Sequence, residues 1–192
     1  MRNYFRQTMN RLFFLKNFLE DKDVASVTPS SKFSVRKICT KINFNKKNII
    51  VEYGPGTGVF SEYLLKSMSP DSKLVLIETN KYFVEELRKI KDERVLVFHD
   101  NAENVAQILH QCNINKVDYV ISGIPFSFFN ENLKRKIIEN TYNSLSDGGK
   151  LLIYQFSHNI KKYLQQYFKD IYSELDILNI PPLCIFEVIK NG

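Results

Sequence analysis

The sequence holds no run approaching the roughly 20 uninterrupted apolar residues that a membrane-spanning helix needs. Its N-terminus lacks the compact apolar core and small-residue cleavage site of a signal peptide, and both absences lead us to expect a cytoplasmic chain. The 3 cysteines, Cys39, Cys112 and Cys184, are odd in number, far apart and free of any CxxC or Cys/His grouping, which argues against a disulfide framework and a zinc site. The 3 histidines, His99, His110 and His158, are scattered, so no histidine-centred catalytic set is suggested and no metal is expected. Internal repeats, low-complexity tracts and Gly/Ser linkers are missing as well. Without them the 192 residues are expected to form a single domain, with residues 1–31 as an N-terminal amphipathic helical extension.

What is present is an ordinary globular composition, 44% hydrophobic and 25% charged, with an uneven distribution of charge. Residues 1–51 carry 11 Lys/Arg against 3 acids, and residues 52–192 carry 16 against 18. The N-terminal quarter is thus net +8 and the rest net −2, which concentrates attraction for a polyanion at one end. Membranes and nucleic acids both qualify, because the electrostatic attraction does not depend on which polyanion supplies the charge. Residues 3–19 are expected to form a helix with Tyr4, Phe5, Leu12, Leu15, Phe18 and Leu19 on one arc and mainly basic and polar residues opposite. A second helix is expected at residues 32–42.

From residue 48 onward, short β-rich runs alternate with helical ones. Strands are expected at residues 48–53, 73–77, 94–98, 117–122, 150–156, 171–178 and 183–189. Helices are expected at 59–67, 81–90, 102–111 and 131–144, with Asn80, Asn101 and Asn130 as N-caps. Near-continuous apolar strands in strict alternation with helices call for a mostly parallel sheet covered on both faces. The final strand is expected to enter antiparallel, as a hairpin turned around Asn179-Ile-Pro-Pro182.

The ends of the first four strands carry the chemistry. Glu52-x-Gly54-x-Gly56-x-Gly58 follows the first strand and opens a helix, where glycine permits positive φ and close approach of a ligand to the backbone. A tight β-to-α turn would use the same glycines, and the spacing differs from the GxGxxG of dinucleotide sites. Glu78 ends the second strand, where an acid can accept hydrogen bonds from both hydroxyls of an adenosine ribose. Asp100-Asn101-Ala102 ends the third, suited to an adenine amine or to simple helix capping. Ser122-Gly123-Ile124-Pro125-Phe126 ends the fourth, with Phe128 and Phe129 close behind. Open parallel sheets bind ligands at this C-terminal edge.

Taken together, these motifs resemble the class I S-adenosylmethionine-dependent methyltransferases over roughly residues 25–190, and within them the soluble bacterial phospholipid N-methyltransferases. The ribosomal RNA adenine dimethyltransferases are a more distant likeness. Val24-Ala-Ser-Val-Thr-Pro-Ser-Ser31, Val51-Glu-Tyr-Gly-Pro-Gly-Thr-Gly-Val59, Ser122-Gly-Ile-Pro125 and Asn179-Ile-Pro-Pro182 carry the resemblance to the phospholipid enzymes. It implies a Rossmann-like α/β fold: a mostly parallel seven-stranded sheet with the last strand antiparallel, helices on both faces and an N-terminal helical extension. It also implies S-adenosyl-L-methionine as cofactor, with Glu52, Gly54, Pro55, Gly56, Thr57 and Gly58 around its methionine end, Glu78 and Thr79 at the ribose, and Asp100, Asn101 and Ala102 at the adenine. Ser30 and Ser31 would close over the methionine carboxylate, and Ser122 and Gly123 would border the cofactor. Ser122, Pro125, Phe126 and Tyr154 would form the catalytic surround, with Phe128, Phe129 and Phe156 as further aromatic candidates for holding a cationic amine.

The expected acceptor is the amine of phosphatidylethanolamine and its methylated derivatives, met at the inner, anionic face of the membrane by a peripherally bound protein. RNA adenine and small amines are the alternatives. Adenine dimethyltransferases usually carry an Asn-(Leu/Ile/Pro)-Pro-(Tyr/Phe) tetrad, and the amide is missing from Ser122-Gly123-Ile124-Pro125-Phe126. Those enzymes also carry a helical RNA-binding C-terminal domain, which is not expected here because the sequence ends soon after the last expected strand.

Overall fold

The computed structural model describes residues 29–177 and 182–192, with side chains from Ser34 onward. The expected helix at 3–19, the tract from Val24 to Thr28 and the turn residues Asn179 to Pro181 lie outside the described residues.

The first described element is α1 (Pro29–Cys39), three residues earlier at each end than the expected helix, with a turn following at Thr40–Ile42. Strict alternation then follows: β1 (Ile49–Tyr53), α2 (Val59–Ser67), β2 (Lys73–Glu78), α3 (Lys81–Leu87), β3 (Val95–His99) and α4 (Val105–Gln111). After these come β4 (Val117–Ser122), α5 (Glu131–Ser144), β5 (Leu145–Gln155), α6 (Lys161–Leu164), β6 (Asp170–Asp176) and β7 (Leu183–Ile189). The seven strands form one sheet in the order β3-β2-β1-β4-β5-β7-β6. β1 to β5 pair parallel, and β7 pairs antiparallel with both β5 and β6, so β6 again runs in the direction of β5. The expected sheet, with its antiparallel last strand, is the one observed.

Alternate strand residues feed two cores, one on each face, because successive side chains of a strand point to opposite sides. Ile50, Leu74, Leu76, Ile121, Leu152 and Ile185 meet α1 and α2 through Ile38, Phe60 and Leu64. Val51, Val75, Val120, Ile153 and Phe186 meet α4, α5 and α6 through Ile108, Ile138 and Leu164. Each fully buried aliphatic chain contributes about 1.5–3 kcal/mol, so these two layers fix which strand faces which helix.

Several boundaries differ from expectation. Residues 102–104 form a separate 3-10 turn ahead of α4, and Asn101 makes no side-chain cap bond there. Asn80 and Asn130 do cap, accepting from the N–H groups of Tyr82 and Leu133. β5 starts five residues before its expected position. Its pairing jumps from Val117↔Leu145 to Tyr119↔Lys150, and Gly148 at φ +76° absorbs the sidestep. Gly148 N–H donates to the Lys190 carbonyl and Lys190 N–H to that of Gly149, which holds this irregular entry against the end of β7.

Candidate functional site

At the C-terminal end of β1 the chain turns sharply, and Gly54 N–H donates to the Ile77 carbonyl at 3.0 Å, tying the turn to the end of β2. Gly54 and Gly58 adopt φ of +66° and +83°, and a Cβ on either would lie 2.8 Å from Ile124 Cγ2 or 2.9 Å from Leu87 Cδ2. Packing accounts for both. Gly56 is different: its φ is +56°, and nothing lies within 4 Å of the place a Cβ would take. The loop therefore presents bare backbone toward open space at its middle glycine, with Pro55 buried beneath and Thr57 exposed at the rim.

Facing that backbone is Glu78, only 7% exposed. Its Oε2 accepts from Gly56 N–H at 3.1 Å, and its Oε1 accepts from the N–H groups of Thr79 at 2.8 Å and Asn80 at 2.9 Å. Three backbone donors thus fix a carboxylate at the mouth of the loop. At the end of β3, Asp100 Oδ1 accepts from Asn101 N–H and Asn104 Nδ2, both at 2.7 Å, and Asp100 N–H donates to the Glu78 carbonyl at 3.1 Å. Ala102 is buried beside it, while Thr79 and Asn101 are exposed. The acids at the ends of β2 and β3 therefore stand on one continuous rim with the glycine loop.

Behind the loop lies Glu52, fully buried. Ser61 Oγ, from the first turn of α2, donates to Glu52 Oε2 at 2.7 Å, and Oε1 has no hydrogen-bond partner among the described residues. Burial pushes the carboxyl up to about 7; the Ser61 bond opposes this and the charge of Glu78 adds to it. Burial, reinforced by Glu52, lifts the nearby Cys39 thiol to about 12, so that thiol is inert. Tyr154 stacks on Phe60 with ring centroids 5.6 Å apart and planes 10° from parallel. Its ring and hydroxyl occupy the space a Cβ on Gly123 would need, and Gly123 N–H donates to the Tyr53 carbonyl at 3.1 Å. Ser122 Oγ at the end of β4 and Gln155 Oε1 at the end of β5 are also buried without a partner among the described residues.

These features fit a bound S-adenosylmethionine: an orphaned buried carboxylate oxygen for a cationic group, bare backbone at Gly56, and two anchored acids on the rim. Leaving Glu52 Oε1 unpaired costs about 1–3 kcal/mol or more, which a donor from a ligand would recover.

The remaining sequence candidates are placed unequally. Ser30 and Ser31 fall within α1, but their side chains lie outside the described residues. Phe126 is 1% exposed and packs edge-on against Phe129 at 5.9 Å in the core. Pro125, Phe128 and Phe129 are half-buried beside it, and Phe156, at 51% exposure, stands out from the end of β5. Ser61 escaped notice in the sequence, and Ile124 counted there only as part of the fourth strand's motif, with no role of its own. Ser61 could have been found as a polar residue on the buried face of α2, whereas the match between Ile124 and Gly54 leaves no local signal. Among the described residues no three His, Cys, Asp or Glu side chains gather to hold a metal, and no helix is long and apolar enough to cross a membrane.

Comparison with known proteins adds three findings. Residues 9–125 match the family model described as ribosomal RNA adenine dimethylase. The chain is 26% identical over 174 residues to an ornithine lipid N-methyltransferase of Singulisphaera acidiphila, covering 89% of this chain and 91% of that protein. Among solved structures, the N-methyltransferase NodS from Bradyrhizobium japonicum in complex with S-adenosylhomocysteine superposes with a TM-score of 0.71 at 11% identity, covering 93% of this chain and 97% of that one.

Proposed function

The chain belongs to the ribosomal RNA adenine dimethylase family and is a class I methyltransferase using S-adenosylmethionine; from that premise we propose that it N-methylates the amine of a lipid headgroup, phosphatidylethanolamine and its partly methylated products foremost. The observation that carries this reading is the end-to-end likeness to an ornithine lipid N-methyltransferase. The tract Ser122-Gly123-Ile124-Pro125-Phe126 agrees with it, since no side-chain amide stands where an adenine reader would place one.

In this reading, Glu52 and the Gly54–Gly58 loop hold the methionine end of the cofactor, Glu78 its ribose and Asp100 its adenine. When bound, the cofactor supplies a methyl group activated on a positively charged sulfur. The protein's task is then to position a neutral amine in line with that group, and proximity accounts for most of the acceleration. The amine reaches the site after losing its proton to water. Tyr154, braced by Phe60 and seated over Gly123, forms the floor between cofactor and acceptor. Ser122 Oγ offers a hydrogen-bond acceptor to the amine, and the half-buried Phe128 and Phe129 offer ring faces to the cation that methylation creates, at about 0.5–2 kcal/mol each. Residues 1–31 would hold the protein peripherally on the anionic inner face of the membrane.

A second reading, N6-methylation of adenine in RNA, is favoured by the family's own description. Incubation with cofactor labelled in its methyl group, against phosphatidylethanolamine, ornithine lipid, RNA and small amines, separates the two. Label in the aminolipids is the expected result, and label in RNA alone would replace the lipid reading.

A further inference from the structure

The C-terminal edge of the sheet continues past the cofactor rim to β5 and β6, which run parallel to the first four strands. Here three large apolar side chains face solvent: Phe156 at 51%, Leu175 at 50% and Ile177 at 71% exposure. β7 lies between the ends of β5 and β6, with Cys184 pairing to Gln155 on one side and to Leu175 on the other. The two apolar strand ends are therefore only two strand spacings apart, about 10 Å. Next to them, between the start of α5 and α6, opens a groove of about 590 Å³ lined by Glu131, Lys134, His158, Asn159, Lys161 and Lys162.

The charge in this groove is one-sided. Lys162, Lys134 and Arg135 all approach the buried ring of Tyr163, at 4.8, 5.6 and 5.7 Å from its centroid. Glu131 stands in the groove wall, 3.0 Å from Lys162 and 3.9 Å from Arg135. Lys161 has no acidic partner among the described residues. With three lysines to one glutamate in its lining, the groove is net positive, which suits it to an anionic group. Nothing about holding the fold together calls for exposed apolar tips beside a cationic groove, whereas binding at a bilayer interface requires both.

We propose that this edge, with Phe156, Leu175 and Ile177 as apolar tips and Lys134, Lys161 and Lys162 as the cationic groove, is the surface that sits on an anionic lipid bilayer, the groove receiving the anionic group of a phospholipid. The proposal rests on the lipid reading of the site and deepens it. Docking here puts headgroups level with the ends of β4 and β5, so the acceptor amine reaches the cofactor without leaving the interface. The surface is made of residues other than the basic N-terminal segment 1–31, and its variants leave that segment unchanged.

Cosedimentation of the full-length protein with vesicles of phosphatidylcholine alone, or of phosphatidylcholine with phosphatidylglycerol, tests it. Lys134→Glu with Lys161→Glu should lower binding to the anionic vesicles about tenfold or more, while calorimetry with S-adenosylhomocysteine stays at the parental value. Lys47→Glu with Lys66→Glu, an equal charge change at the opposite edge, should lower it far less. Equal loss in the two double variants, or no loss in the first, overturns the proposal. So does a parent that ignores the vesicles while single-stranded RNA binds it and dissociates from the groove variant. If the double reversal unfolds the chain by circular dichroism, Lys161→Gln, at an exposed position, carries the same test with a smaller shift. Methylation of detergent-dispersed aminolipid by the parent reports on the lipid reading separately: activity there with unchanged vesicle binding in the variants ends the docking proposal alone.

Discussion

The two flanks of the sheet end at the same edge with different surfaces. On the β1–β2–β3 flank every strand end is tied down: Gly54 N–H to Ile77, Glu78 to three backbone donors, Asp100 to Asn101 and Asn104. On the β5–β7–β6 flank the strand ends leave Phe156, Leu175 and Ile177 in solvent, beside a groove of lysines. In the proposed reading the cofactor would be met by a rim whose donors and acceptors are set before binding, which lowers the ordering cost of association. The open flank has the character of a surface that meets a broad, fluid partner. The sequence places these two solutions in successive parts of one alternating chain.

The strongest way to break the comparison is at Gly56. Gly56→Ala adds a methyl group in the open space before the loop and should weaken S-adenosylhomocysteine binding by about a hundredfold or more, with about 1–2 kcal/mol lost from the fold because an L-residue is strained at positive φ. Calorimetry and a melting curve read the two effects, and parental affinity in the folded variant would remove Gly56 from the site. Vesicle binding should not change, because the other flank is untouched.

The second prediction concerns Glu52. Its folded-state value near 7 lies above the ordinary 4.5, so the folded protein retains a proton that the unfolded chain has released. Stability without ligand should therefore fall as pH rises from about 4.5 to about 7, by at most about 3 kcal/mol. Glu52→Gln should flatten that profile, raise the melting temperature at pH 8 and weaken cofactor binding. An unchanged pH dependence of melting would mean that the carboxylate is already satisfied without ligand.

The smallest expected effect lies on the open flank, where Lys41, in the turn after α1, links to β6 and β7 through Glu174 at 3.1 Å and Glu187 at 3.0 Å. Each acid keeps a second lysine, Lys37 at 2.9 Å and Lys150 at 2.7 Å. Lys41→Met should therefore cost no more than about 1 kcal/mol, or about 2–4 °C in melting temperature. Cofactor affinity should stay the same. A larger loss would show that this flank is held as firmly as the other.

Much of the first flank was legible because its signals are local. An apolar run followed by Glu52-x-Gly-x-Gly-x-Gly, a strand ending in Glu78 and another ending in Asp100 each mark one strand end within a few residues. The open flank was less legible. β5 takes in Ser146, Asp147, Gly148 and Gly149, residues with little strand preference, and their place in the sheet depends on β7 and Lys190. α6 has only four residues, too few for a hydrophobic period to register. Asn101 has the residue type of a cap and makes no side-chain cap bond, because the chain enters a 3-10 turn in which Asn104 N–H donates to the Asn101 carbonyl at 3.0 Å.

The sequence by itself determined the alternating architecture, the parallel sheet with its antiparallel last strand and the four strand ends marked by the glycine loop, Glu78, Asp100 and the Ser122 tract, because periodicity and glycine placement are properties of short segments. Only the tertiary structure decided that Gly54 owes its bareness to Ile124 and Gly56 owes its own to open space, and that Glu52 keeps one oxygen unpaired while Ser61 takes the other. It also decided that lysines some 27 residues apart, Lys134 and Lys161, share one groove. Such relations join residues from different strands and helices, and no segment contains the distance between them until the sheet has brought its strands into register.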